Sequence, residues 1–216
     1  MSEQRTYKAF IFDLDGTLLH TLPDLVNVTN KALADQGFPP HILTYVGNGA
    51  ARLIAQAVPA EATPEQAERV FQNFKNFYHD FGIIYTTEFE GITVALEQAK
   101  EAGVGLAILS NKFEQGVLDV RDRFFPDLIE VAHGESDAVP RKPDPTGLLL
   151  CASELGVAPE ECLFFGDSAS DMQAAHNAGM EAVAVTWGYQ PQERLMAAAP
   201  DHVIEKPVDM LRFIEQ

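Results

Sequence analysis

The sequence predicts an α/β protein, with a parallel sheet covered by helices on both faces and an all-helical insertion near its start. Three observations carry this. From residue 89 onward, short uncharged apolar runs alternate with amphipathic stretches, the rhythm of strand–helix–strand units in one parallel sheet. A run of the same kind, Phe10-Ile-Phe12, stands alone near the N-terminus. Between them, residues 20–84 show helical spacing only. The expected division is therefore residues 1–19 and 85–216 for the α/β core, and 20–84 for the insertion.

Phe10-Ile-Phe12 reads as a strand buried on both faces, because β-branched and aromatic residues without charge suit a central sheet position. It runs straight into Asp13-Leu-Asp15-Gly16-Thr17. Gly16 permits a sharp turn. Both acids then stand at the exit of a strand, where open α/β sheets hold their ligands. Two ionised carboxylates this close call for a cation or a proton. An ordinary Asp/Gly turn is the plain alternative.

The insertion follows. Leu22, Leu25, Val26, Thr29, Ala32 and Leu33 recur at helical spacing, and Gly37, Pro39 and Pro40 stop them. Val46-Gly-Asn-Gly49 reads as a loop opening a short helix over 50–57. Thr63, Pro64 and Gln66 form a helix start with a capping box. Val70, Phe71, Phe74, Phe77, Tyr78 and Phe81 then line one face up to Gly82. That aromatic stripe is read as helical core.

The alternating part places helices at 93–102, 114–124, 145–155 and 170–178, with a last weak one at 208–214. It places strands at 104–109, near 128–132, and at 162–165, 182–185 and 202–204.

Bulk properties narrow the partners. Lys plus Arg total 15 against 32 Asp plus Glu, for a net charge of −17. This excludes the basic surface of a nucleic-acid binder and disfavours anionic membranes. Two cysteines, Cys151 and Cys162, give no disulfide framework. The first residues show no signal-like apolar stretch and no run approaches a membrane span, so the cytoplasm is expected.

Polar residues gather at the ends of the strands. The 104–109 strand runs into Ser110-Asn111-Lys112, and the 162–165 strand into Gly166-Asp167-Ser168-Ala-Ser-Asp171. Arg141-Lys142-Pro-Asp-Pro145 lies between them. Singly, each has a plain reading: Ser110 and Asn111, or Asp167 and Asp171, can cap the helices that follow, and Lys142 can be a solvated charge. Together at one sheet edge they match the needs of phosphoryl transfer. Asp13 can attack as a nucleophile. Asp13, the Asp15 main-chain carbonyl and Asp167 can hold a magnesium ion. Ser110 and Lys142, with nearby backbone N–H groups, can hold the phosphate. Asp15 can protonate the leaving alcohol and then activate water.

These stretches, Asp13-Leu-Asp-Gly-Thr17, Ser110, Lys142 and Gly166–Asp171, resemble in order the four motifs of haloacid-dehalogenase superfamily phosphatases. Ser110-Asn-Lys112, Val46-Gly-Asn-Gly49, Arg141-Lys-Pro-Asp-Pro145 and Thr186-Trp-Gly-Tyr189 resemble most the phosphoglycolate phosphatase branch. The resemblance implies a Rossmann-like core with a small helical cap. It also implies Mg²⁺-dependent hydrolysis of a small phosphorylated metabolite, with 2-phosphoglycolate the leading substrate. It extends phosphate binding to Gly16 and Asn111, and assigns supporting places to Thr17, Ser168 and Asp171.

Two departures stand out. His20-Thr21 replaces the branch's Asp-Ser pair, and His20 is read as a hinge residue. No proline precedes Gly91. Arg52 is a candidate for a substrate carboxylate, beside the plain reading of a surface arginine. A phosphoglucomutase-like transfer to a sugar hydroxyl shares every catalytic residue and stands as the alternative, together with a non-catalytic phosphate-binding module. Oligomeric state is not legible in the sequence.

Overall fold

The computed structural model describes residues 7–41 and 49–214. Six strands form the main sheet: β1 (Ala9–Phe12), β4 (Gly105–Phe113), β5 (Val131–Glu135), β6 (Cys162–Gly166), β7 (Glu181–Val185) and β8 (His202–Ile204). All are parallel, in the order β5-β4-β1-β6-β7-β8.

Side-chain alternation explains why the middles of the central strands carry no charge. Phe10, Phe12, Leu106, Ile108, Leu163, Phe165, Val183 and Val185 enter one buried cluster. Their neighbours Ala9, Ile11, Ala107, Leu109, Cys162, Phe164, Ala182 and Ala184 enter a second cluster on the other face. The first face is covered by α4 (Ile92–Glu101), α5 (Glu114–Phe124) and a 3-10 segment, Pro207–Phe213. The second is covered by α6 (Thr146–Leu155), α7 (Ala169–Ala178) and α8 (Gln192–Met196). Each core strand is thus hydrophobic on both sides, as a parallel sheet requires.

Helices α1 (Leu22–Asp35), α2 (Ala50–Ala57) and α3 (Pro64–Phe81) bury a third, separate cluster that includes Leu25, Leu33, Ile54, Val70 and Phe74. The Thr63–Gln66 capping box is present, and Gly82 ends α3. The chain enters and leaves this cluster through two paired two-residue strands, β2 (Leu19–His20) and β3 (Thr87–Glu88). Asp24, fully buried in the first turn of α1, ties the return segment down. Its carboxylate accepts from the N–H groups of Ile84 (3.0 Å), Tyr85 (2.9 Å) and Thr86 (2.7 Å), and from Thr86 Oγ1 (2.7 Å).

Several expectations shift. The fifth strand lies at Val131–Glu135, not 128–132, because Leu128 and Ile129 belong to a turn after α5 whose N–H groups bond Phe125 O. The expected helix at 208–214 is a 3-10 segment opened by Pro207. Helix α8 has no counterpart among the expected elements. Nor has the β2–β3 pair, which puts His20 in a strand.

Candidate active site

Asp13 is the first residue beyond β1. Its N–H donates to Phe165 O on β6 (2.8 Å), so the sheet itself fixes its backbone. The side chain is buried, the residue being 3% exposed. Its Oδ1 accepts from the Leu14 N–H (2.7 Å) and lies 2.9 Å from Lys142 Nζ. Burial pushes the Asp13 carboxyl up to about 6, against the pull of Lys142 and with the repulsion of Asp171 and Asp15.

Lys142 comes from the loop before α6, across a cis Lys142–Pro143 peptide. Its N–H donates to Asn111 Oδ1 (2.7 Å), and its ammonium reaches Asp13 Oδ1, Asp171 Oδ1 (2.7 Å) and Leu109 O (3.2 Å). Burial opposes the charge, but the two carboxylates outweigh it and raise Lys142 above an ordinary lysine. Asp171 turns its other oxygen to the Ser168 N–H (2.9 Å) and Ser168 Oγ (2.6 Å), closing a capping box on α7. With both oxygens engaged, Asp171 caps the helix and anchors Lys142. Lys142 is therefore not a solvated charge.

Asp167 follows β6, which lies directly beside β1. Its Oδ2 accepts from the Tyr189 N–H (2.6 Å). Two glycines make its slot. A Cβ on Gly16 would stand 2.5 Å from Asp167 Oδ2, and one on Gly188 would stand 2.2 Å from the Asp167 Cβ. Burial pushes this carboxyl well above the carboxylate range, and Asp171 and Asp13 push the same way.

The carboxylates of Asp13, Asp167 and Asp171 offer oxygens within 4.8 Å of one another. Here Asp13, Asp15, Asp167 and Asp171 meet only two ammonium groups among the described residues, those of Lys142 and Lys112. A buried surplus of carboxylate, with Asp13 and Asp167 both pushed up, fits a hard divalent cation, which would relieve it. Asp13 and Asp167 are the acids with oxygen to offer.

The sequence places Asp15 beside them, and its carboxylate is claimed by Lys112, whose Nζ lies 2.9 and 2.8 Å from its two oxygens. Lys112 is a site residue that sequence reasoning missed. It stands in the Ser110-Asn-Lys run, but nothing local shows a partner 97 positions away. Ser110 and Asn111 do not cap α5, whose N-cap is Phe113. Ser110, Asn111 and Lys112 are buried and line a chamber together with Asp13, Asp15 and residues of α1–α3. About 580 Å³ of non-atom space lies in it, part of it open to solvent.

Gly16, expected at the phosphate, borders Asp167. Its N–H already donates to Leu19 O (2.9 Å), and its missing side chain makes room for Asp167. Thr17 is buried and its carbonyl accepts from Trp187 Nε1 (2.9 Å). Arg52 is exposed on α2 and does not line the chamber. Of the Val46–Gly49 loop, residues 46–48 lie outside the described residues, and Gly49 lines the chamber. Tyr189, also missed, links two places. Its N–H serves Asp167, and its hydroxyl accepts from the N–H groups of Thr21 (2.7 Å) and Leu22 (3.1 Å) and stands 3.2 Å from His20 Nδ1. His20 packs on Tyr189 and Phe89.

A family model described as haloacid dehalogenase-like hydrolase matches residues 10–185, from the first strand through β7. The chain belongs to that family. Among curated relatives of this haloacid dehalogenase-like hydrolase, a phosphoglycolate phosphatase of Mannheimia succiniciproducens is 33% identical over 220 residues. The match covers 96% of this chain and 98% of the relative. An N-acetylmuramic acid 6-phosphate phosphatase of Pseudomonas aeruginosa is 28% identical over 215 residues, covering 97% and 95%. A crystal structure described as a predicted phosphoglycolate phosphatase from Haemophilus somnus superposes with a TM-score of 0.87 at 29% identity, covering 97% of this chain and 98% of the other. The haloacid dehalogenase-like chain is thus a phosphatase, a phosphoric monoester hydrolase. Among the described residues, no helix is long and apolar enough to cross a membrane.

Proposed function

We propose that this phosphatase hydrolyses a small-metabolite phosphomonoester, with 2-phosphoglycolate the leading substrate, through a phospho-aspartyl intermediate on Asp13. The observation that supports the mechanism is the convergence of Asp13 and Asp167, at the ends of adjacent strands, with Lys142 from the loop before α6, whose ammonium is held against Asp13. The names of the relatives carry the substrate.

Mg²⁺ is the proposed ion, held by Asp13, Asp167 and the Asp15 main-chain carbonyl, and it would neutralise phosphoryl charge. Lys142 and Ser110 hold the phosphoryl oxygens, with Asn111 beside them. An Asp13 oxygen attacks phosphorus as the ester P–O bond breaks, and Asp15 gives its proton to the leaving alkoxide. Asp15 then takes a proton from water, whose oxygen attacks phosphorus and releases Asp13 and inorganic phosphate. Residues 20–84 are the proposed cap domain over this site, and residues 1–19 and 85–216 the core.

The test is phosphate release from a panel of monophosphates with Mg²⁺. Activity should vanish with EDTA and return with added Mg²⁺, and a metal-independent activity would sink the mechanism. Lys142→Ala is expected to weaken binding of inorganic phosphate or vanadate by ~10-fold or more, since it deletes a buried charge-assisted donor. Titration calorimetry on the folded variant checks this, and an unaltered affinity would contradict the role.

A further inference from the structure

The pairing of Asp15 with Lys112 conflicts with the work given to Asp15. To act on a leaving group Asp15 must offer it an oxygen, and the Lys112 ammonium holds both of its oxygens, at 2.9 and 2.8 Å. Something has to take Lys112 from it. Lys112 is placed for a second partner. It is the only cationic side chain lining the chamber among the described residues, and residues 42–48 contain no Lys, Arg or His. Its ammonium lies 5.0 Å from the ring centre of Tyr78 on α3, so it meets the helical segment as well as the sheet. On the helical side the chamber wall holds Leu25, Leu53 and Phe74 and the uncharged polar groups of Gln56 and Tyr78, so it brings no cation to an anion.

We propose that Lys112 is the specificity residue of this site: it binds the carboxylate of a substrate that carries both a phosphate ester and a carboxylate. By exchanging the Asp15 carboxylate for that of the substrate, it frees Asp15 for proton transfer. This rests on the phosphatase reading above. It also gives the chamber a charge balance. Lys142 would meet the phosphoryl group and Lys112 the second anion, which would otherwise face a wall without positive charge.

The test compares kcat/KM for 2-phosphoglycolate and for 2-hydroxyethyl phosphate, an ester of the same length that ends in an uncharged CH₂OH. The unaltered chain should prefer 2-phosphoglycolate. Lys112→Met should cost 2-phosphoglycolate ~100-fold and the neutral ester several-fold less, the scale of losing a buried charge pair. Lys112→Arg, which keeps the cation, should retain most of the preference. If Lys112→Met alone does not fold, the double variant Asp15→Asn, Lys112→Met strands no buried charge. In it, calorimetry should find the binding preference for 2-phosphoglycolate gone. Equal losses on the two esters, or an unaltered chain that favours the neutral one, would overturn the proposal and leave the phosphatase reading standing. An unaltered chain that releases phosphate from no ester of the panel overturns both.

Discussion

Asp13→Asn is expected to abolish turnover, by at least ~10⁴-fold, while the protein stays folded. The amide has nearly the shape of the carboxylate and keeps an oxygen for the Leu14 N–H, which Asp13 holds at 2.7 Å. What it lacks is the nucleophile. The stability effect has a definite sign. In the folded protein without metal, Asp13 holds its proton up to about 6, against an ordinary value of 3.8. Between those values the folded state binds more protons than the unfolded chain, so stability falls as pH rises through the window. Asparagine does not titrate and should flatten that fall. In EDTA at pH 7 the variant should therefore melt at the same temperature as the parent or higher. A melting series from about pH 4 to about pH 7 checks the slope, and a phosphate-release assay checks the activity. Substantial residual turnover would remove Asp13 from the role of nucleophile.

The second large effect is on stability. Asp24→Ala is expected to destabilise the fold by roughly 3–5 kcal/mol, because it strands the buried N–H and hydroxyl of Thr86 and unbonds two part-buried N–H groups as well. Three consecutive backbone N–H groups, those of Ile84, Tyr85 and Thr86, end on this one side chain, and so does the Thr86 hydroxyl. Water cannot easily replace it, since Asp24 is 0% exposed. For a chain of this size the shift in Tm is about 10 °C or somewhat more. The Asp24→Asn substitution keeps one acceptor oxygen, and its effect should fall between. Calorimetric melting of the two variants gives the order, and an Asp24→Ala protein that melts with the parent would show that the return segment is held by other means.

The sheet is largely legible in the sequence because its strands are buried on both sides. Phe10-Ile-Phe12 and Cys162-Leu-Phe-Phe165 have only one way to hide every side chain, between two helical layers. The edge strand is placed too early for the same reason inverted. Val131–Glu135 alternates between buried and half-buried residues and carries His133 and Glu135, so it shows no continuous apolar run. Leu128 and Ile129 supply a better run and fold as a turn instead. Strands β2 and β3 have two residues each, too few for any period.

At the site, the residues close in sequence to a strand end are readable: Asp13, Ser110 and Asp167. The couplings are not. Lys112 meets Asp15 across 97 positions, Tyr189 meets Thr21 across 168, and Asp24 meets Thr86 across 62. Such pairs are set by how layers pack, and no local pattern encodes them. The room that Gly16 leaves for Asp167 is likewise not legible, because an absent Cβ matters only beside its neighbour in space.

Tyr189 has a mechanical consequence. Its backbone is pinned to the Asp167 carboxylate, and its hydroxyl to the N–H groups of Thr21 and Leu22 where α1 begins. An aromatic ring neither stretches nor folds, so this side chain is a spacer rod between the acid and the root of the helix. While both ends stay bonded, the ring limits how far the start of α1 can stand from the Asp167 carboxylate.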